Sequence, residues 1–193
     1  MTGTLRDLRP NELKSVYARV KRDFPPIEHP PLCSMRRYLA KGSLHGSIYE
    51  TDGADAGYAF LLTAPGTLSR MLFLYAVEPQ LRGRGVGGAF IEALAAQQAD
   101  CSGLYAEVEI PALAKTPQDR LYREKRIAFY EKHGFCRIMG LEYILYGLKM
   151  YIFYRPLART GVPDAPTAAQ ELRTLNNGIF YRWERSLLRM RTE

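Results

Sequence analysis

The spacing of apolar residues changes period along the chain, which predicts a fold that mixes strands and helices. Short alternating or continuous apolar runs are typical of strands, and apolar positions three and four residues apart are typical of amphipathic helices. The turn-rich segment 51–55 predicts a hairpin, and Gly147 marks a bend between the last two strands. Strands are predicted at residues 4–8, 45–49, 57–62, 71–77, 104–110, 139–146 and 150–154.

Helices are predicted between most of these strands. In the first, Leu13, Val16 and Val20 recur at helical spacing. It ends at the proline-rich segment 25–31, because proline has no N–H and disfavours a helical conformation in the residue before it. Later apolar stripes predict helices at 32–39 and 86–94, and a further helix ends at Gly134. Helices on both sides of a sheet make this an α/β protein.

The C-terminal part of the chain is predicted to be a linker at 160–166 followed by two helices. Thr167 and Gln170 fit a capping box that opens a helix reaching to about Leu175. We interpret the last helix as one that covers the domain or a second subunit, with contact to a membrane surface, a nucleic acid or a partner protein as the alternative. It sets Phe180, Trp183, Leu187 and Met190 on one face and Arg182, Arg185 and Arg189 on the other.

Composition limits the classes of protein that fit. At 193 residues, with 47% apolar and 24% charged side chains, the chain has material for one globular core. No apolar run is long enough for a transmembrane helix and the N-terminus lacks a signal-peptide pattern, so we expect a cytoplasmic protein without membrane contact. The three cysteines and three histidines are scattered, which predicts neither disulfides nor a metal site. A net charge of +7 favours anionic partners, such as nucleotide cofactors, nucleic acids or acidic proteins.

A glycine-rich turn at 77–88 lies between a buried strand and an amphipathic helix. Glycines leave backbone N–H groups uncovered at a helix N-terminus, where the helix dipole also favours an anion, so such a turn suits a phosphate. A plain strand-to-helix turn is the alternative, but it needs fewer glycines and no arginines. The turn contains Gly83, Gly85, Gly87 and Gly88, together with Arg82 and Arg84.

The same glycines also match a dinucleotide-binding fingerprint over 83–88, with Glu107 and Glu109 near the position of the ribose-binding acid. Against this reading, residues 78–82 separate Val77 from the first glycine, whereas the dinucleotide turn follows its strand directly. A P-loop is excluded because the sequence has no Gly-Lys-Ser or Gly-Lys-Thr. We therefore interpret the glycines as a phosphate site of another kind.

The pattern Gln80-x-x-Gly83-x-Gly85 resembles the coenzyme A pyrophosphate motif of the GNAT superfamily of acyl-coenzyme A N-acyltransferases. Segment 128–135, in which Tyr130 is followed shortly by Gly-Phe, is similar to a family helix, and segment 105–109 stands between the two in family order. The resemblance implies the GNAT acyltransferase fold, an α/β fold with a mixed, mostly antiparallel central sheet that splays into a V and is flanked by helices. The domain would cover residues 1–157, leaving 158–193 as a linker and a C-terminal helical extension.

The resemblance implies that acetyl-coenzyme A or coenzyme A is the co-substrate and that no metal takes part. Backbone N–H groups from Arg82 or Gly83 through Gly87 would hold the pyrophosphate, and Ala76 and Val77 would pair with the pantetheine. The implied cofactor-binding residues are Ala76, Val77, Arg82, Gly83, Arg84, Gly85, Val86, Gly87 and Gly88.

The resemblance also implies two catalytic side chains. Tyr130 matches the tyrosine that gives a proton to the departing thiolate, the alternative being an ordinary core aromatic residue. Glu107 occupies a strand position where several family members carry a carboxylate facing the acceptor amine, and we expect it to be the base. Glu109 lies on the same face by strand alternation, so the two carboxylates would raise each other's pKa. As alternatives to a base, the two carboxylates lie at a solvated strand end or bind a cationic acceptor. The resemblance also implies that the backbone N–H of Val77 stabilises the oxyanion.

These features predict an enzyme that transfers an acyl group, most simply acetyl, from coenzyme A to a primary amine of a small molecule or peptide. A coenzyme A-binding regulatory module with weak catalysis is the alternative. A nucleic-acid-binding domain has only the charge and the last helix in its favour, so no nucleic-acid partner is expected. The asparagine often found in the family near the tyrosine helix is absent, and Arg123 or Arg126 lies nearby instead. Segments 25–31 and 111–118 are candidate walls of the acceptor site, and a homodimer through the C-terminal helices stays open.

Overall fold

The structure is a computed structural model that describes residues 3–98, 100–157, 161–179 and 187–192. Its contacts divide the chain into two compact units. The first comprises Met1–Thr63 and Leu72–Gln97, and the second comprises Ala64–Met71 and Gln98–Glu193. Each unit therefore combines segments that are distant in the sequence.

The first unit combines strands with α-helices. Its strands are β1 (Thr4–Asp7), β2 (Leu44–Thr51), β3 (Ala54–Leu62) and the larger part of β4 (Ser69–Val77), in the order β1-β2-β3-β4. Its helices are α1 (Leu13–Asp23), α2 (Leu32–Ala40) and α3 (Val86–Gln97). The β1–β2 and β2–β3 pairs are antiparallel. The β2–β3 hairpin turns at Asp52 and Gly53, both with positive φ, which suits the twist of the strands. The strands, hairpin and helices predicted for this part of the chain are confirmed.

The second unit contains an antiparallel sheet in the order β5-β8-β7-β9, with β6 paired to β8. Its strands are β5 (Gly103–Glu109), β6 (Cys136–Arg137), β7 (Leu141–Leu145), β8 (Leu148–Pro156) and β9 (Leu188–Thr192), and its helices are α4 (Pro117–Lys132) and α5 (Ala165–Asn177). The turn between β7 and β8 is made by Tyr146 and Gly147, with φ of 51° and 79°. The predicted closing strand pair and its bend at Gly147 are confirmed.

Helices cover both faces of the sheet in the second unit. Phe153 and Tyr154 point to opposite faces, because side chains alternate along a strand. On one face, the ring of Tyr130 from α4 lies 6.5 Å from that of Phe153. On the other, the ring of Tyr154 lies 4.7 Å from that of Tyr105, whose hydroxyl donates to Glu171 of α5. Helices α4 and α5 therefore pack on opposite faces, as the α/β class predicts.

Helix α5 begins earlier than predicted. Its N-cap is Asp164, whose carboxylate accepts a hydrogen bond from the backbone N–H of Thr167 at 3.0 Å. Pro166 lies in the first turn, where backbone N–H groups have no intrahelical acceptor, so the missing N–H of proline costs no hydrogen bond. The predicted capping box at Thr167 is wrong because Asp164 already caps the helix.

The predicted last helix is wrong where the structure describes it. Leu188–Thr192 form strand β9, which pairs with β7 so that Met190 lies opposite Tyr143. Pairing with β7 gives this backbone its hydrogen-bond partners, and apolar and basic residues alternate from Leu188 to Arg191 with the two-residue period of a strand. The domain boundary predicted at residue 157 stays a prediction. Other residues of the predicted helix, Phe180, Arg182, Trp183 and Arg185, lie outside the described residues.

Candidate active site

The glycine-rich turn of the first unit has the backbone shape that a phosphate site needs. After β4 ends at Val77, a short 3-10 helix covers Pro79–Leu81, and α3 begins at Val86. Gly83 and Gly85 have φ of 75° and 81°, a conformation that other L residues rarely adopt. A Cβ added at either glycine would meet no other described atom within 4 Å. Glycine is therefore required by the backbone conformation, and open space lies in front of the turn.

Side chains of the same unit hold this turn in place. The Tyr75 hydroxyl donates to the carbonyl oxygen of Gly87 at 2.6 Å. Arg82 donates through Nε to the carbonyl oxygen of Val77 at 2.9 Å and through Nη2 to Asp23 at 2.9 Å. The guanidinium of Arg82 is thus bonded to the protein, so the positive charge predicted there serves the turn itself.

Five charged residues, which we call the α1 ion cluster, join the turn to the end of α1. Glu78 lies 2.6 Å from Arg19 and 2.9 Å from Arg22. Asp23 lies 2.8 Å from Arg22 and 2.9 Å from Arg82. Burial favours the neutral form of Asp23, but hydrogen bonds led by that from Arg22 outweigh it and hold the pKa of Asp23 below its usual value. The cluster anchors the first residues of the turn before any ligand binds.

The other predicted cofactor-binding residues lie along the same stretch of the first unit. Ala76 and Val77 are buried at the end of β4, and Val86 is buried at the start of α3. Gly87 and Gly88 are half-buried in the first turn of that helix, whereas Arg84 is exposed at the tip of the turn. Arg82 is exposed as well, but its guanidinium is bonded to Val77 and Asp23, so Arg84 is the better placed of the two for an anionic ligand.

In the second unit, the predicted base Glu107 is half-buried on β5 and accepts a hydrogen bond from the hydroxyl of Tyr143 on β7. That hydroxyl lies 3.5 Å from Nδ2 of Asn176, a fully buried residue of α5 that also donates to the carbonyl oxygen of Leu172 at 2.8 Å. Tyr143 and Asn176 were not predicted as site residues. Their spacing from Glu107 along the chain gives no signal, because only the tertiary fold brings the three together.

Glu109 is ion-paired. Its carboxylate lies 2.8 Å from Arg126 and 3.4 Å from Arg123, both on α4. Arg123 also contacts Asp119 at 3.0 Å. The two arginines noted in place of the family asparagine therefore bind Glu109, and their charges oppose the mutual repulsion predicted for Glu107 and Glu109. The raised carboxylate pKa values stay a prediction.

Tyr130 lies near the end of α4, with 8% of its surface exposed. The helix ends at Lys132, and Gly134 beyond its cap has a φ of 77°, which lets the N–H of Phe135 donate to the carbonyl oxygen of Tyr130 at 3.0 Å. This turn also packs the Phe135 ring edge-on against Tyr130, with centroids 5.0 Å apart. Burial raises the pKa of Tyr130 to about 12, against an opposing effect of Arg126. The phenol is therefore protonated at neutral pH, as an acid must be before it donates.

The described ranges lack both a metal-binding cluster and a membrane-spanning helix. These residues contain no group of three or more His, Cys, Asp or Glu side chains able to hold a metal ion. Within the same ranges, no helix has the length and apolar character needed to cross a bilayer. The cysteines are free thiols, with Cys33 and Cys136 exposed and Cys101 buried.

Comparison with known proteins agrees with this geometry. Residues 43–137, which include the glycine turn and β5, match the family model of the acetyltransferase (GNAT) domain. Fold, turn and family match together place the protein in the class of GNAT-fold proteins. Residues 43–137 form a GNAT acetyltransferase domain. A comparison with curated protein sequences finds no significant match.

Solved structures show the same fold. A GNAT-family protein from Bacteroides thetaiotaomicron has a TM-score of 0.68 at 21% identity, covering 88% of this chain and 93% of its own. The ribosomal-protein-S18-alanine N-acetyltransferase from Escherichia coli has a TM-score of 0.61 at 21% identity, covering 83% and 97%. Spermidine N-acetyltransferase from Vibrio cholerae, solved with coenzyme A and spermine, has a TM-score of 0.61 at 12% identity, covering 81% and 96%. The predicted family and fold class are confirmed, and the roles of individual residues stay predictions.

Proposed function

We propose that this protein is an N-acetyltransferase that moves the acetyl group of acetyl-coenzyme A to a primary amine. The observation that carries the proposal is the turn with Gly83 and Gly85 in left-handed conformations, open in front and leading into α3. It lies within the segment that matches the family model. Several GNAT structures, including the spermidine enzyme from Vibrio cholerae, were solved with coenzyme A.

The residues present fit this co-substrate. A pyrophosphate needs several N–H donors and positive charge, which backbone groups from Gly83 to Gly87 and the exposed Arg84 can supply. Ala76 and Val77 would pair with the pantetheine through backbone groups, and the N–H of Val77 would stabilise the oxyanion. Acetyl-coenzyme A supplies the acetyl group as an activated thioester.

The side chains of the second unit provide the proton transfers that the reaction requires. The amine nitrogen forms a bond to the acetyl carbon while the carbon–sulfur bond breaks, so one proton leaves the nitrogen and one is needed by the sulfur. We assign the first to the carboxylate of Glu107 and the second to the hydroxyl of Tyr130. Tyr130 keeps its proton at neutral pH because burial raises its pKa to about 12.

We propose an acceptor with a single reacting amine, such as a peptide N-terminus, in preference to a polyamine. A polyamine carries several positive charges and is held best by several carboxylates without cationic partners. On this part of the second unit, Glu109 and Asp119 already bind Arg126 and Arg123. The Escherichia coli relative is named for an alanine of a ribosomal protein and the Vibrio cholerae relative for spermidine, so both classes occur on this fold.

Two measurements test the proposal. In the first, the melting temperature is followed with acetyl-coenzyme A, coenzyme A and NADH, each in large excess. A ligand at about one hundred times its dissociation constant adds about 2.7 kcal/mol, which raises the midpoint by roughly 5 to 10 °C at this size. We expect this rise with both coenzyme A ligands and not with NADH. A rise with NADH alone would contradict the assignment of the turn.

The second measurement follows release of free thiol from acetyl-coenzyme A with an alanine-terminated peptide, a lysine peptide with a blocked N-terminus, and spermidine. We expect thiol release with a peptide and little with spermidine. Strong binding of acetyl-coenzyme A without transfer to any acceptor would instead favour a regulatory coenzyme A-binding module. Faster transfer to spermidine than to both peptides would overturn the acceptor class. Cytoplasmic location and a homodimer stay predictions.

A further inference from the structure

We infer that the C-terminal helix α5 is part of the catalytic machinery of the second unit, because Asn176 orients the hydroxyl of Tyr143, which in turn positions the carboxylate of Glu107. Both are positioning residues, and the inference rests on the proposed function, in which Glu107 receives the proton of the amine. Helix α5 and strand β9 lie outside the segment 43–137 that matches the family model. The family match therefore assigns them no role.

The contacts form a directed series of hydrogen bonds. Nδ2 of Asn176 carries hydrogens, so it donates to the Tyr143 oxygen at 3.5 Å as well as to the Leu172 carbonyl at 2.8 Å. The Tyr143 oxygen, receiving this hydrogen, directs its own hydrogen to Glu107. Burial raises the pKa of the Tyr143 phenol well above its usual value, so Tyr143 remains a donor. The series delivers a fixed donor to one oxygen of Glu107.

The C-terminal segment is tied to this face of the sheet at further points. Glu171 of α5 accepts a hydrogen bond at 2.8 Å from Tyr105, which lies two residues before Glu107 on β5. Met190 of β9 pairs directly with Tyr143 in the β7–β9 register. The pairing with β9 fixes the strand that carries Tyr143, whereas the Tyr105–Glu171 bond attaches α5 to β5 without touching Glu107 or Tyr143. A donor to the carboxylate needs such rigidity, since a loosely held donor would not define its orientation.

A donor to a carboxylate favours its ionised form, which is the form that can accept a proton. Two further titratable groups lie near the same carboxylate on the neighbouring elements. Tyr130 of α4 senses the charge of Glu107 and is itself protonated at neutral pH. Glu109, next on the same face of β5, is paired with Arg126. Loss of the Tyr143 hydroxyl should therefore make Glu107 harder to ionise, with no compensating cation from these groups.

The test is the titration of Glu107 itself in the full-length protein. Carboxyl-labelled glutamate is observed by carbon NMR, and the resonance missing from Glu107→Gln is that of Glu107. In Tyr143→Phe we expect the titration midpoint to move upward by about one pH unit. Tyr105→Phe is the matched control, because it also removes a buried tyrosine hydroxyl that donates to a carboxylate on this face. It should leave the midpoint of Glu107 unchanged.

An unchanged or lowered midpoint in Tyr143→Phe, or an equal rise in both tyrosine variants, would overturn the inference. Asn176→Leu, which keeps the number and branching of side-chain heavy atoms, and Asn176→Ala extend the test to α5. Both should raise the midpoint in the same direction by a smaller amount. No rise in either variant would overturn the role of the helix.

A pH profile connects the titration to catalysis. The acid limb of kcat/KM should move upward with the NMR midpoint in Tyr143→Phe and stay in place in Tyr105→Phe. A profile that does not follow the NMR midpoint would overturn the positioning role. Full turnover in Glu107→Gln would instead show that the proposed base is wrong, and NMR would still report whether Tyr143 and Asn176 act on the carboxylate.

Discussion

The two chemically important regions of this molecule work by different means. In the first unit, the turn at 83–87 offers mainly backbone N–H groups, and its shape comes from glycines with positive φ and from the α1 ion cluster. In the second unit, the proposed catalytic site consists of side chains that meet from separate elements. Tyr143 lies 36 residues from Glu107 in the sequence, and Asn176 lies 33 residues from Tyr143.

The two regions should therefore be sensitive to different kinds of substitution. A site made of backbone groups tolerates changes of side chain as long as the backbone conformation survives. A site made of converging side chains depends on single functional groups, whereas its backbone is protected by strand pairing. We therefore expect substitutions in the first unit to change the binding of acetyl-coenzyme A, and substitutions in the second to change turnover.

The largest effect is expected for Glu107→Gln, which removes the proposed base and keeps the shape of the side chain. General base catalysis contributes about 10² to 10⁴ in rate, so kcat/KM should fall by that factor while acetyl-coenzyme A binds as before. Glu109→Gln is the control, since Glu109 is ion-paired with Arg126. This variant should lose far less activity. Equal losses in the two variants, measured by thiol release, would show that Glu107 has no special role.

Tyr130→Phe should have the next largest effect, on the order of 10² in kcat, because the departing thiolate loses its acid. Burial raises the pKa of Tyr130 to about 12, so in the unmodified protein this phenol keeps its proton until the pH approaches 12. Its ionisation should therefore not limit the rate near pH 10, where an unperturbed tyrosine titrates. Tyr122→Phe, on an exposed position of the same helix, is the control. Full turnover in Tyr130→Phe would leave Tyr130 as a core aromatic residue.

Gly85→Val tests the backbone site. A β-branched residue does not tolerate a φ of 81°, and its side chain would fill the open space in front of the turn. We expect the dissociation constant of acetyl-coenzyme A to rise by roughly tenfold to a hundredfold, since every 1.4 kcal/mol is tenfold. Gly66→Val imposes the same strain at a φ of 82° in another loop and should leave binding unchanged. Similar losses of affinity in both variants would mean that general destabilisation, not the turn, explains the effect.

Asp23→Asn should have the smallest effect on binding, a few-fold loss of affinity for acetyl-coenzyme A, because Asp23 acts on the turn through Arg82 and is not itself a proposed cofactor-binding residue. The pKa of Asp23 is lowered in the folded protein, so its charge stabilises the fold above the unfolded value near pH 4 and stops doing so as pH falls through the folded pKa. The variant should melt a few degrees lower at pH 7, and the difference should shrink in acid. A difference that is the same at all pH values would contradict the ionic origin of the effect.

The same contrast explains what the sequence could predict. The turn is local, so its glycines, the preceding strand and the following helix indicate it directly. Glu107 and Tyr130 could be proposed because they stand at matching positions in a family pattern. Tyr143 and Asn176 could not be proposed, because no local sequence pattern indicates that side chains of β7 and α5 lie beside Glu107 of β5.

The errors in the C-terminal part have a related cause. Arg189 fits a helical face with Arg182 and Arg185, yet Arg189 and Arg191 also alternate with Leu188 and Met190 as in a strand. Backbone pairing with the edge of β7 favours the strand over the helix, and that edge exists only in the tertiary structure. At the start of α5, the capping residue was misjudged because Asp164 and Thr167 both suit an N-cap and only the geometry selects Asp164.

The dissociation constant of acetyl-coenzyme A, measured calorimetrically for Glu107→Gln and Gly85→Val beside the unmodified protein, tests the central claim most directly. We predict that the unmodified protein and Glu107→Gln bind with equal affinity and that Gly85→Val binds at least about tenfold more weakly. Binding that is unaffected by Gly85→Val would contradict the assignment of the co-substrate to the glycine turn. Binding that is lost equally in both variants would contradict the assignment of binding to the first unit and of the chemistry to the second.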